Sequence, residues 1–235
     1  MPYFRQLFDV ASATYSYLLA DSDSGAAVLI DPVLEHVPLY QSLVEEVDLH
    51  LDLVLETHRH ADHASAARSL HELTGARVAV AGVRKAEQQA EIWLADGHIL
   101  RFGKESITVI ATPGHTAGCL SFLWRDRIFT GDALLIGDCG RTDTGDGDPG
   151  MLYDSITRKI WPMSDEVLVY PGHDYRHRRV SCVMQERHTN RCFAELTRDE
   201  FIALMARSSS QVMSGVQGVM TLKHESGTNE VDYAG

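Results

Sequence analysis

Short apolar runs set off by turn residues organise the first half of the chain. Thr14–Ala20 and Ala26–Asp31 each fit a strand, and the polar link Asp21-Ser22-Asp23-Ser24-Gly25 between them fits a hairpin turn. Leu39–Val47 carries its apolar residues at helical spacing. Leu51–Glu56 is a compact apolar run, which predicts a buried strand, and Ala64–Leu73 predicts a helix that stops at Gly75. Arg77–Ala81 and Ile107–Thr112 predict further strands, and Cys119–Trp124 with Arg127–Thr130 predicts a hairpin turning at Arg125-Asp126. Gly131 to Gly150 is rich in Gly and Asp and predicts a long functional loop. Leu152–Ile160 predicts a helix, Glu166–Tyr170 a strand, and Val180–Arg187 and Arg198–Arg207 two more helices. Strands of this continuous apolar kind need cover on both faces, so the expected class is α/β. Residues 1–207 are expected to form one catalytic domain, followed by a polar tail, 208–235, to which no structure is assigned.

Charge and composition narrow the partners. A formal net charge of −12 disfavours nucleic acid, which needs a basic face, and an anionic membrane surface. No apolar run approaches the roughly 18 residues that cross a bilayer. The segment Met1–Val10 contains Arg5 and Asp9 and lacks the features of a signal peptide, and the four cysteines include no CxxC pair. Reduced thiols in the cytoplasm are therefore expected. A homodimer is compatible with the sequence.

Histidine changes the picture most, with 12 residues in the chain. His58, His60, Asp62 and His63 follow directly on the expected strand Leu51–Glu56. His115 follows the next strand within Thr112-Pro113-Gly114-His115-Thr116, Asp132 follows Thr130-Gly131, and His173 follows Tyr170-Pro171-Gly172. Strand ends of an α/β sheet gather at one edge, so these groups are expected to converge there. Imidazole and carboxylate together suit zinc, iron or manganese. If the run stays extended, His58, His60 and Asp62 share one side and His63 takes the other, while Gly114 and Gly131 let backbone pass close to the metal. The spacing admits one metal or two. His36, His50, His71, His98, His177, His188 and His224 lack such company and are expected to be structural or surface residues.

Thr57–His63 with His115, Asp132 and His173 resembles the metallo-β-lactamase superfamily, whose fold is an αββα sandwich of two mixed β-sheets flanked by helices. Within it the chain resembles the persulfide dioxygenase (sulfur dioxygenase) group through Tyr15–Asp31, Pro113–Gly118, Thr130–Ile136, and above all Cys139–Asp143 and Tyr170–Tyr175. The resemblance implies an Fe(II)- and O2-dependent oxidation of glutathione persulfide to sulfite and glutathione. It implies one Fe(II) per chain held by His58, His115 and Asp132, with His60, Asp62, His63 and His173 supporting those ligands. It also implies that Arg141 and Tyr175 line the glutathione pocket, and the Arg176, Arg178, Arg179 patch is a candidate for steering an anionic substrate. The chain departs from the family at Asn190-Arg191-Cys192, where the family reads Asn-Pro-Arg, and in its tail. Two alternatives stand beside this reading: a glyoxalase II-like thioester hydrolase with two Zn, and a non-catalytic binding protein on the same scaffold.

Overall fold

The structure is a computed structural model that describes residues 2–82, 92–143 and 145–207. The expected tail, 208–235, lies outside the described residues. Strands β1 (Pro2–Asp9), β2 (Thr14–Asp21), β3 (Ala26–Ile30), β4 (His50–Leu55), β5 (Arg77–Ala81) and β6 (Ile92–Leu94) form one six-stranded sheet in that order. The second sheet has the order β12-β11-β10-β9-β8-β7. Its members are β7 (Ile99–Phe102), β8 (Glu105–Ala111), β9 (Leu120–Trp124), β10 (Arg127–Gly131), β11 (Leu168–Pro171) and β12 (Ser181–Cys182). Both sheets are mixed: β3, β4, β5 and β6 run parallel in the first, and β10 and β11 in the second.

Burial explains why the sheets stack. All eight residues of β2 and all five of β3 are buried, so both faces must be covered. Tyr17, Leu19, Val28, Ile30, Leu53 and Leu55 pack against Val109, Phe122, Trp124, Phe129 and Tyr170 of the other sheet. The alternate positions Leu18, Ala20, Ala27 and Leu29 meet Tyr40 of α1 (Val37–Glu46) and Ala67 and Leu70 of α2 (Ala67–Thr74). On the far side of the second sheet, Ile128 and Val169 meet Leu152 of α3 (Pro149–Ser155), Val183 of α4 (Val183–Thr189), and Phe201 and Met205 of a helix over 198–207, α5. The result is the expected αββα sandwich.

Local chemistry sets the element ends. Gly75 caps α2 at φ +76°, as its position after the apolar pattern predicts. Asp148 caps α3 by accepting from the Met151 N–H at 2.8 Å, with Pro149 opening the helix. The expected helix Leu152–Ile160 therefore begins earlier, and after Ser155 it widens into a π turn over Ile156–Ile160. The expected helix Val180–Arg187 starts only at Val183, because Ser181 and Cys182 pair with Val169 and Leu168 of β11. The Ala64–Leu73 helix likewise starts at Ala67. Strand β1 is not apparent in the sequence because it is an edge strand whose exposed and half-buried residues follow no clean alternation.

No helix among the described residues is long and apolar enough to cross a membrane. Phe129 is fully buried between the sheets, its ring 4.7 Å from that of Tyr17 and 5.6 Å from that of Tyr170. Phe129→Ala is expected to cost about 3–5 kcal/mol. Denaturant unfolding checks this as a lowered midpoint with an unchanged slope.

Candidate metal centre

Four strand exits deliver the chemistry to one edge of the sandwich. His58 follows β4, His115 follows β8, Asp132 follows β10 and His173 follows β11. One ligand atom each from His58, His115 and Asp132 lies within 4.8 Å of the others. The rings of His58 and His115 stand edge to face, with centroids 4.9 Å apart.

Hydrogen bonds fix which atoms these residues offer. The Thr57 hydroxyl donates its single proton to Asp31 Oδ2 at 2.7 Å, so toward His58 Nδ1, 2.9 Å away, it can only accept. His58 therefore carries its proton on Nδ1 and presents Nε2 as a lone pair. His115 does the same: Nδ1 lies 2.7 Å from the Arg141 carbonyl, which only accepts, so Nε2 is bare. Burial, reinforced by the neighbouring His60, lowers His58 to about 4, which keeps it neutral at pH 7. Asp132 is divided between two directions. Oδ1 accepts from His173 Nδ1 at 2.6 Å, and Oδ2 lies 3.7 Å from His115 Nε2. Burial alone would raise this carboxyl, but the His173 hydrogen bond and the surrounding histidine charge outweigh it and hold Asp132 well below the usual range. Two bare imidazole nitrogens and one ionised carboxylate oxygen are a donor set that fits a divalent transition metal.

The remaining histidines are engaged with carboxylates. His173 donates from Nδ1 to Asp132 and from Nε2 to Asp62 Oδ2 at 3.0 Å. Burial opposes its charge, but those two carboxylates prevail and raise it to about 10, so it sits as a cation between them. His60 Nε2 lies 3.1 Å from both Asp31 Oδ1 and Glu56 Oε2, and those charges overcome burial and hold the ring protonated. Asp62 Oδ2 also accepts from Thr14 Oγ1 at 3.0 Å and pairs with His63 Nδ1 at 2.8 Å. His63 Nε2 is buried with no hydrogen-bond partner, and His60, Asp62 and His63 form a second group whose ligand atoms lie within 4.8 Å.

The extended-run expectation does not hold. Residues after Leu55 form bends rather than strand; His58 still lies beside His60, with ring centroids 4.2 Å apart, and faces His115, while His60 and Asp62 also gather with His63. Gly131, at φ +51°, does permit a close approach, since a Cβ there would meet Thr57 Oγ1 at 2.5 Å. Gly114, at φ +142°, also admits α3, because a Cβ there would collide with the Leu152 backbone. Of the two candidate pocket residues, Arg141 directs its guanidinium to Asp143 at 2.7 Å, and only its carbonyl touches the site. Tyr175 stacks on His173 with centroids 5.6 Å apart and planes 6° apart. Asp31, Glu56 and Thr14 support the site without having been singled out from sequence, and Thr57, at the head of the run Thr57–His63, had no role assigned. Asp31 could have been noticed, as a charge directly at the end of an apolar strand, whereas Thr14 reaches His173 only through a bridge between distant segments.

Residues 10–173 match the family model of the metallo-beta-lactamase superfamily. The chain belongs to this superfamily. The superfamily member named mitochondrial persulfide dioxygenase ETHE1, from Homo sapiens, is 42% identical over 203 residues, which cover 86% of this chain and 79% of the human one. The crystal structure of ETHE1 from Myxococcus xanthus is 46% identical, with a TM-score of 0.84 over 87% of this chain and 90% of that chain. A hydroxyacylglutathione hydrolase of Cereibacter sphaeroides is 35% identical, covering 74% of this chain and 68% of its own. A persulfide dioxygenase thus matches this chain in fold and in 42% of the residues aligned over most of its length.

Thr57 joins buried Asp31 to His58, so it sets the His58 tautomer. Thr57→Val is expected to weaken metal binding by about 10–100-fold with the fold intact, while Thr57→Ser retains it. Chelator competition alongside circular dichroism checks this, and unchanged affinity in Thr57→Val would refute the role.

Proposed function

We propose that this chain is a persulfide dioxygenase that uses one Fe(II) to oxidise glutathione persulfide with O2 to sulfite and glutathione. One observation carries the reading. On a chain 42% identical to a persulfide dioxygenase, two bare imidazole nitrogens and one carboxylate oxygen meet at His58, His115 and Asp132. The neighbours His60 and His173 meanwhile direct ring nitrogens at carboxylates. These three residues would hold the iron. Two histidines and one carboxylate leave coordination positions for substrate and O2, and Fe(II) bound there supplies the redox chemistry that zinc lacks.

The chain's own groups do the rest. The face contributes one negative charge, so a persulfide anion is attracted to a divalent ion held there. His173, protonated between Asp132 and Asp62, fixes Asp132 Oδ1 and leaves Oδ2 for the ion. Beside His173, a shallow groove open to solvent is lined by Tyr175, Arg176, Arg178 and Asp138. Arg178 gives one donor to the Ile136 carbonyl at 2.5 Å, a neutral partner, so it keeps its net charge toward the groove. That charge suits the two carboxylates of glutathione, and the Tyr175 ring offers a stacking wall. Arg141 would join them only by exchanging Asp143 for substrate. Four free thiols suit a reducing compartment such as the cytoplasm.

The hydrolase reading keeps one specific observation in its favour: the group His60, Asp62 and His63, with a buried unpartnered His63 Nε2, offers donors for a second ion. The experiment that separates the two compares O2 uptake on glutathione persulfide with hydrolysis of S-lactoylglutathione on one metal-analysed sample. About one iron per chain with O2 uptake is expected. Two zinc ions with fast thioester hydrolysis would overturn the proposal. Asp132→Ala is expected to lose iron and O2 uptake together, and retained iron with activity would show that another carboxylate is the ligand.

A further inference from the structure

Two cysteines outside the metal centre meet beside it. Cys139 Sγ, Cys192 Sγ and a carboxylate oxygen of Asp138 all lie within 4.8 Å of one another. The Cys192 thiol donates to Asp138 Oδ1 at 3.2 Å, and the Cys139 backbone N–H donates to the same oxygen at 3.0 Å. Asn190 clamps the two segments together. Its Nδ2 donates to the carbonyls of Asp138 at 2.9 Å and Leu135 at 3.1 Å, and its Oδ1 accepts the Cys192 N–H at 3.0 Å. The sulfurs are thus held near each other by backbone anchors on both sides. Cys192 closes the stretch Asn190-Arg191-Cys192, where the chain departs from the family's Asn-Pro-Arg.

We propose that Cys139 and Cys192 form a dithiol that a low-molecular-weight disulfide oxidises reversibly to an intramolecular disulfide. A metal is the poorer occupant, because Asp138 is already committed to Cys192, the Cys139 N–H and the Arg191 guanidinium. Two sulfurs fall short of the four ligands of a structural zinc site. Bond formation brings the sulfurs to about 2.05 Å. The half-buried Cys139 reacts first: its thiolate attacks one sulfur of the small disulfide, that S–S bond breaks, and one thiol leaves. The Cys192 thiol passes its proton to Asp138 Oδ1 and attacks Cys139 Sγ. The mixed disulfide breaks, and a second small thiol leaves with a proton. Two protein thiols are oxidised and one disulfide is reduced to two thiols. Burial and the Cys192 hydrogen bond make the exchange slow.

The position gives the modification a consequence. Cys139 precedes Gly140, whose N–H holds the Asp132 carbonyl at 2.8 Å, and Arg141, whose carbonyl holds His115 Nδ1. A bond at Cys139 therefore tethers the segment beneath two of the three candidate ligands to the turn after α4.

The test equilibrates the metal-loaded protein in mixtures of glutathione and glutathione disulfide, alkylates it, and maps peptides without reduction. Two of the four thiols are expected to disappear together, in a peptide linking Cys139 to Cys192, and to return in excess glutathione. Cys182→Ser should leave the link intact. Cys192→Ser should abolish it and leave glutathione on Cys139. Four free thiols at every ratio, links through Cys119 or Cys182 in its place, or retained zinc that protects the pair would each overturn the proposal.

Discussion

Everything at the candidate metal centre depends on two mixed sheets packed face to face. Their shared core, from Tyr17 and Leu19 on one side to Phe122, Trp124 and Phe129 on the other, holds the strands in a fixed register. The segments after β4, β8, β10 and β11 are thereby delivered to a single edge, although more than 110 positions separate Asp62 from His173. Helices α1 and α2 on one side and α3, α4 and α5 on the other keep water from the backs of those strands. Without that cover, strands as uniformly apolar as β2 and β3 could not be stable.

Inside that frame, the centre is organised by charge as much as by shape. Two of its supporting imidazoles lie beside paired carboxylates: His173 between Asp132 and Asp62, and His60 beside Asp31 and Glu56. His58 and His115 are treated differently. One faces a hydroxyl that has already given its proton to Asp31 and is left neutral by burial; the other donates Nδ1 to a backbone carbonyl, and in both Nε2 is the nitrogen turned to the site. One residue type therefore appears in two protonation states within a few ångströms. The buried carboxylates decide which is which, because a low-dielectric interior amplifies each pairing.

The loop after β10 links this arrangement to the rest of the chain. Gly140 supports Asp132, Arg141 supports His115, and Asp138 and Cys139 contact Cys192 beyond α4. A change at that contact is felt by residues that touch the metal centre directly, with no displacement of the sheets required.

The sequence by itself determined the class of fold, most of its elements and the identity of the residues that gather. Continuous apolar runs mark strands wherever burial is strong, and Gly75 marks the end of α2, whereas the Asp148 cap that starts α3 ahead of Leu152 emerged only in the structure. The ligand-type residues were legible because metal chemistry restricts them to His and Asp at strand exits. What only the tertiary structure decided was direction. The edge strand β1 escaped because half-exposed positions carry no strong pattern, and Ser181–Cys182 became strand because β11 offered it partners. The alternation in Thr57–His63 suggested an extended run, but the backbone bends there, and it is the folded turn that keeps the His58 and His60 rings 4.2 Å apart. Which imidazole offers a lone pair depends on Asp31, Glu56, Thr57 and Thr14, two of which are remote in sequence from the histidines they serve. Hydrogen-bond partners are set by three-dimensional packing, and no spacing along a chain records them.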